Sequence, residues 1–138
     1  MIIDANVILR AFFPDEVQAH AQAVIRDHVT GQITLKAPSL LLYEVCNAVW
    51  QAERRGRIPP AQADLIIQSV QGLKIPLITL EWGEMMPWAR QFGCSAYDAA
   101  YLALAQAGVE PFITGDERLY NAVHAHLSQV IWLEDYNR

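Results

Sequence analysis

Pro111-Phe112-Ile113-Thr114-Gly115-Asp116 is a short apolar run that ends on an acid. It passes into a helical stretch, 117–127, and then into a second apolar run, 130–133. Two short strands joined through a helix are a parallel pair, because a parallel connection needs a crossover and a hairpin does not. The same alternation extends back through the chain. Strands are expected at 2–3, 33–36 and 75–80, the last with an early proline that suits a sheet edge. Helices are expected at 6–13 (stopped by Pro14), after Asp15 with Val17, Ala21, Val24, Ile25 and Val29 on one face, and from the Ser39 cap to Arg55 with Gly56 as its stop. Further helices open at Pro59-Pro60, run through 81–92 with Pro87 kinking or splitting it, and span 95–107 behind a Ser95/Asp98 capping box. The predicted fold is therefore α/β: a three-layer α/β/α sandwich with a central parallel sheet of four to five strands, in a single domain over residues 1–138.

Four acids stand in unusual company on this framework. Asp4 follows Ile2-Ile3, Glu44 interrupts Leu40-Leu41-Leu42-Tyr43-Glu44-Val45, Asp98 lies in the small-residue helix 95–104, and Asp116 ends the run quoted above. Open parallel sheets bind ligands beyond the carboxyl ends of their strands. Asp4 and Asp116 are placed there directly, and Glu44 and Asp98, near two helix starts, are placed to reach the same crevice. Carboxylates among aliphatic residues are costly without a partner, and crowded carboxylates raise each other's proton affinity. No basic residues sit beside them in sequence, so a hard divalent cation such as Mg²⁺, which prefers oxygen ligands, is the expected source of the missing charge. The chain offers no Gly-x-Ser-x-Gly elbow, Gly-rich phosphate loop or HExxH motif as a rival.

Composition limits the alternatives. The net charge is −5, of which the four acids contribute −4, so broad sequence-blind binding of nucleic acid is disfavoured and any attraction of a polyanion falls to metal and local basic residues. No apolar run is long enough to span a bilayer and no signal peptide is seen, so no membrane association and a cytoplasmic location are expected. Cys46 and Cys94, each with apolar neighbours, are expected to be buried free thiols. Glu53-Arg54-Arg55-Gly56-Arg57 is the one basic cluster. It reads first as a charged helix end, with Arg54, Arg55 and Arg57 as candidates for contact with nucleic-acid phosphate. Tyr97 and Tyr101 read as core or subunit contacts, and His124 and His126 diverge on a helix and make a poor metal pair.

The segments Ile3-Asp4-Ala5-Asn6-Val7, Pro38-Ser39-x4-Glu44, Tyr97-Asp98-Ala99-x2-Leu102-Ala103 and Thr114-Gly115-Asp116-x2-Leu119 resemble the four acidic blocks of PIN-domain nucleases, and most of all the small VapC-type toxins of toxin–antitoxin pairs. Each block alone is weak; the ordered set, covering nearly the whole chain, is fairly specific. The resemblance implies a PIN-like fold and metal-dependent endonucleolytic cleavage of RNA, with one or two Mg²⁺ or Mn²⁺ ions held by Asp4, Glu44, Asp98 and Asp116. It implies that Asn6 and Thr114 support those carboxylates from behind, and that the protein is a homodimer whose site is occluded by a cognate antitoxin. Two other classes are weighed against it: a phosphoacceptor signalling domain, which would want a pair of acids by the first strand and a lysine after the last, and a non-catalytic PIN module that only binds a partner.

Overall fold

All the strands run parallel. The computed structural model describes residues 1–16 and 18–137. The strands are β1 (Ile2–Ile3), β2 (Ala37–Pro38), β3 (Leu77–Ile78), β4 (Phe112–Thr114) and β5 (Val130–Trp132). They form a three-stranded sheet, β1-β4-β5, and a two-stranded one, β2-β3. A bridge between Ile2 and Lys36 joins the two into one row, with Ile3 N–H donating to the Lys36 carbonyl at 3.0 Å and Lys36 N–H to the Met1 carbonyl at 2.9 Å. From β1 the chain builds outward on one side to β2 and β3. It then returns to lay β4 against the other side of β1, in register Ile2 with Phe112 and Ile3 with Ile113. The order of strands therefore reverses between β1 and β4.

The helices are α1 (Ala5–Phe12), α2 (Ala19–Val29), α3 (Leu40–Arg54), α4 (Pro60–Gly72), α5 (Trp82–Phe92), α6 (Ala96–Gly108) and α7 (Glu117–Val123). Every residue of β1 and β4 is buried, so both faces of the sheet are covered, as the three-layer arrangement requires. α1 and α6 both pack on these strands. α6 is buried continuously from Ala99 to Ala105, and its run of alanines lets it lie close to the sheet. Each fully buried Ile or Leu of β1, β4 and α6 contributes roughly 1.5–3 kcal/mol of hydrophobic stabilisation.

Several expectations shift. The strand expected at 33–36 lies at Ala37–Pro38: β2 pairs with β3 through Ala37 N–H to the Pro76 carbonyl and Ser39 N–H to the Ile78 carbonyl, passing over Pro38, which has no N–H to give. β3 is exposed, as expected of an edge. Asp15 does not cap α2, which begins after Gln18; it pairs with Arg57 instead, and Val17 lies outside the described residues. Pro87 neither splits nor ends α5. The residue four back, whose carbonyl loses its bond, is Gly83, which is exposed to solvent. α7 stops at Val123, where His126 N–H bonds three residues back to the Val123 carbonyl and tightens the turn. Both cysteines are free, but Cys46 is exposed, because one step along α3 from buried Val45 turns the side chain off the core face.

Candidate active site

Asp4, Glu44, Asp98 and Asp116 come from four separate segments and line one cavity of about 350 Å³ together with Asn6 and Asn47. It lies past the carboxyl ends of β1 and β4, where the strand order reverses and open parallel sheets place their ligands. Asp4 follows β1 directly. Asp116 is two residues beyond β4, Glu44 is in the second turn of α3, and Asp98 is in the first turn of α6.

Asp4 sits at the cap position of α1 yet makes no capping bond. Its Oδ2 instead accepts from the Thr114 hydroxyl at 2.7 Å and from Asn6 Nδ2 at 3.0 Å. The Thr114 hydroxyl in turn accepts from Asp116 N–H at 3.0 Å, and Asn6 Oδ1 accepts from Gly115 N–H at 2.9 Å. Thr114 and Asn6 thus tie the end of β4 to the start of α1 and hold the Asp4 carboxylate through two hydrogen bonds. Asp116 caps α7 by accepting from Leu119 N–H at 3.1 Å, and Asp98 N–H is capped by Ser95 Oγ at 3.0 Å. Glu44 Oε1 accepts from the Tyr101 hydroxyl. Gly115 keeps this corner open, since a Cβ there would stand 3.0 Å from the Arg10 guanidinium and 3.2 Å from Asn6 Oδ1.

The charges are poorly offset. Among the described residues the one ion pair to these acids is Arg118 to Asp98, at 4.0 Å and with Arg118 largely exposed. Burial pushes the Asp4 carboxyl up to about 7; the Thr114 hydroxyl and the Asn6 backbone N–H oppose this, and the negative charges of Glu44 and Asp98 add to it. Burial also raises Glu44, against the pull of the Tyr101 bond and with the charge of Asp98. Asp98 is raised by burial and then by Asp116, with Ser95 and Arg118 opposing.

An all-oxygen set of unopposed carboxylates suits a hard divalent cation in its donor chemistry. Among the described residues no three acids close into a ready coordination cluster. Mg²⁺ does not require one, because it takes one or two carboxylates and keeps several waters. Such an ion would supply positive charge and Lewis acidity at this cavity.

The basic cluster divides. Arg55 and Arg57 line a neighbouring cavity that shares Asn6 and Ala48 with the acidic one, whereas Arg54 lies over the Trp50 ring at 5.8 Å. Tyr101 is in the core as read from sequence, but its hydroxyl also holds Glu44. The available signal was a lone hydroxyl in a run of alanine and leucine, since a buried tyrosine needs a partner for its O–H. Asn47, three residues after Glu44 on the same helix face, was also missed.

A parallel α/β sheet with an acid-lined cavity at its switch point is the arrangement of PIN domains. Residues 1–125 match the PIN domain model, and the chain belongs to that family. It is similar to a protein named Ribonuclease VapC3 from Pyrobaculum aerophilum, with 27% identity over 123 residues that cover 86% of this chain and 91% of the relative. The crystal structure of PAE2754 from Pyrobaculum aerophilum shares the fold, with a TM-score of 0.74 at 23% identity, covering 96% of this chain and 83% of that one. No described helix is long and apolar enough to cross a membrane.

Proposed function

We propose that residues 1–138 act as one PIN domain and that the chain is a metal-dependent endoribonuclease, the toxin of a VapBC-type pair. In this reading Asp4, Glu44, Asp98 and Asp116 hold one or two Mg²⁺ or Mn²⁺ ions, and Asn6 and Thr114 orient Asp4. RNA is the substrate, hydrolysed at a phosphodiester with expulsion of the 3′ oxygen, and no side chain becomes covalently attached. A cognate antitoxin, a homodimer and a cytoplasmic location complete the proposal. The observation that carries it is the convergence of four acids from four segments on one cavity, with one loose ion pair to them among the described residues. The PIN family match and the VapC relative support it.

The phosphoacceptor alternative lacks its lysine. Lys36 is engaged by Glu110 at 2.8 Å, Lys74 lines an apolar cleft bordered by α3 and α4, and neither borders the acid cavity. The test is incubation of the purified chain with labelled RNA, with Mn²⁺ or with EDTA. Wild type is expected to cut only with Mn²⁺, and Asp4→Asn to lose roughly 100-fold or more in rate while remaining folded. Cutting in EDTA, or by Asp4→Asn at the wild-type rate, refutes the reading.

A further inference from the structure

Two further cavities adjoin the acid cavity, and both share Asn6 with it. They differ in charge. One, of about 350 Å³ along α1 and α3, is lined by Arg10, Arg55 and Arg57 against a single acid, Glu16. The other, of about 650 Å³ beside α7, is lined by Arg10 and Arg118 against Asp116, Glu117 and Glu134. On one flank three guanidiniums face one carboxylate; on the other, two face three.

The geometry points to a one-sided phosphate track: a single-stranded RNA leaves the acid cavity along the α1–α3 groove, with its phosphates on Arg10 and Arg55, and does not cross the α7 side. The inference rests on the nuclease reading and gives its substrate a direction. Arg10 lines both flanking cavities, its guanidinium fixed by an Nη2 bond to the Gly115 carbonyl at 2.8 Å. Among the described residues its remaining donors have no hydrogen-bond partner, and the exposed side chain of Arg55 makes neither a hydrogen bond nor an ion pair. Arg57 is different. Asp15 holds it through bonds of 2.9 and 2.8 Å, so it adds little free charge. Along α3 the path from Glu44 to Arg55 is about 16 Å, at ~1.5 Å rise per residue. A stacked strand needs roughly 3.4 Å of axis per nucleotide, so the groove holds several phosphates. The acidic flank repels the same chain.

Anisotropy of a fluorescent oligouridylate in EDTA, across a salt series, reads this track without metal and without cleavage. Each phosphate contact contributes about 0.7 to the slope of log affinity against log salt for a single strand. Arg55→Gln is expected to weaken binding and flatten the slope by about 0.7, and Arg10→Gln with Arg55→Gln by about 1.4. Glu134→Gln on the other flank is expected to leave the slope unchanged. Arg55 is exposed, so its variant answers even if Arg10→Gln fails to fold. A wild-type slope in Arg55→Gln, flattening by Arg118→Gln instead, or no salt-dependent binding by wild type overturns the track. Mn²⁺-dependent cleavage is read on the same preparations. If wild type cuts RNA but Arg55→Gln keeps the slope, the track falls and the nuclease stands. If the slopes change as expected but nothing is cut, the nuclease reading falls and a polyanion groove stands.

Discussion

Asp4 and Asp27 are buried to nearly the same extent, 8% and 6% exposed, yet their carboxyl groups shift in opposite directions. Each accepts two side-chain hydrogen bonds. Asp27 Oδ2 takes the Tyr136 hydroxyl at 2.8 Å and Asn137 Nδ2 at 3.3 Å, with Arg26 alongside at 3.6 Å. The Tyr136 bond, then that of Asn137, holds Asp27 below the ordinary carboxylate range, and the Tyr136 hydroxyl is pushed up to about 12, mainly by burial and then by Asp27. Around Asp4 the donors are outweighed by burial, and Glu44 and Asp98 add their repulsion. Burial is the largest influence on the Asp4 carboxyl, whereas at Asp27 the donated bonds outweigh it; the neighbouring acids then widen the gap. Asp27 is satisfied within the chain and fastens the C-terminal residues to α2; Asp4 belongs to a group of acids with one loose ion pair among the described residues.

The largest effect that sharpens this contrast is on stability. Between the ordinary value of 3.8 and about 7, folded Asp4 keeps a proton that the unfolded chain has released. Stability therefore falls as pH rises through that window, by on the order of 4 kcal/mol for this one group. Asp4→Asn keeps an oxygen to accept from Thr114 and removes the charge. In EDTA at pH 8 the variant is expected to melt above wild type, and near pH 4 the two should converge. Adding Mn²⁺ should raise the melting temperature of wild type alone. A variant that melts below wild type at pH 8, or that responds equally to Mn²⁺, breaks the distinction between the two acids.

A smaller effect comes from the groups that hold the carboxylates. Tyr101→Phe removes one hydroxyl from Glu44 and keeps the ring stacked on Phe112 at 5.7 Å. Thr114→Val removes the bond to Asp4 and leaves Asp116 N–H without its acceptor. Loss of such supporting bonds weakens metal sites by roughly 10–100-fold. Mn²⁺ titration by calorimetry is expected to show this for both variants, with the larger loss of stability in Thr114→Val, where the half-buried Asp116 N–H also loses its acceptor. Unchanged Mn²⁺ affinity in both would remove the acids they hold from the metal site.

The sequence revealed more of the acids than of what surrounds them. Phe112–Thr114 and Ile2–Ile3 are strands at their expected positions, because each is an apolar run ending where a helix begins, and such runs declare themselves locally. The four acids were legible for the same reason: a charge within an apolar context is visible in one dimension. β2 was misplaced because the alternation of Ile33-Thr34-Leu35-Lys36 suggests pairing, whereas the pairing itself is fixed by β3, some forty residues on. Pro87 does not split α5, since a proline's cost depends on whether the freed carbonyl is open to solvent, which only exposure decides. Arg10 went unnoticed because its bond is to a carbonyl 105 residues away, and no local pattern carries that.

The smallest effect tests the other half of the comparison. Asp27→Asn keeps an oxygen to accept from Tyr136 and Asn137 and loses only the charge that strengthened those bonds. It is expected to lower the melting temperature by a few degrees at neutral pH while leaving Mn²⁺ affinity and cleavage at wild-type values. The sign with pH is opposite to that of Asp4. A carboxyl held below its ordinary value contributes stability that is fully present above 3.8 and is lost as pH falls through the folded value. The gap between wild type and Asp27→Asn should therefore be flat from neutral pH down to about pH 4 and close below it, whereas the gap for Asp4→Asn changes between about pH 4 and 7 and is flat above. Two acids of equal burial would then titrate in separate windows with opposite slopes. If Asp27→Asn instead shifts Mn²⁺ affinity, the latch at α2 is coupled to the cavity, and the separation between an acid that completes the fold and one that awaits a cation does not hold.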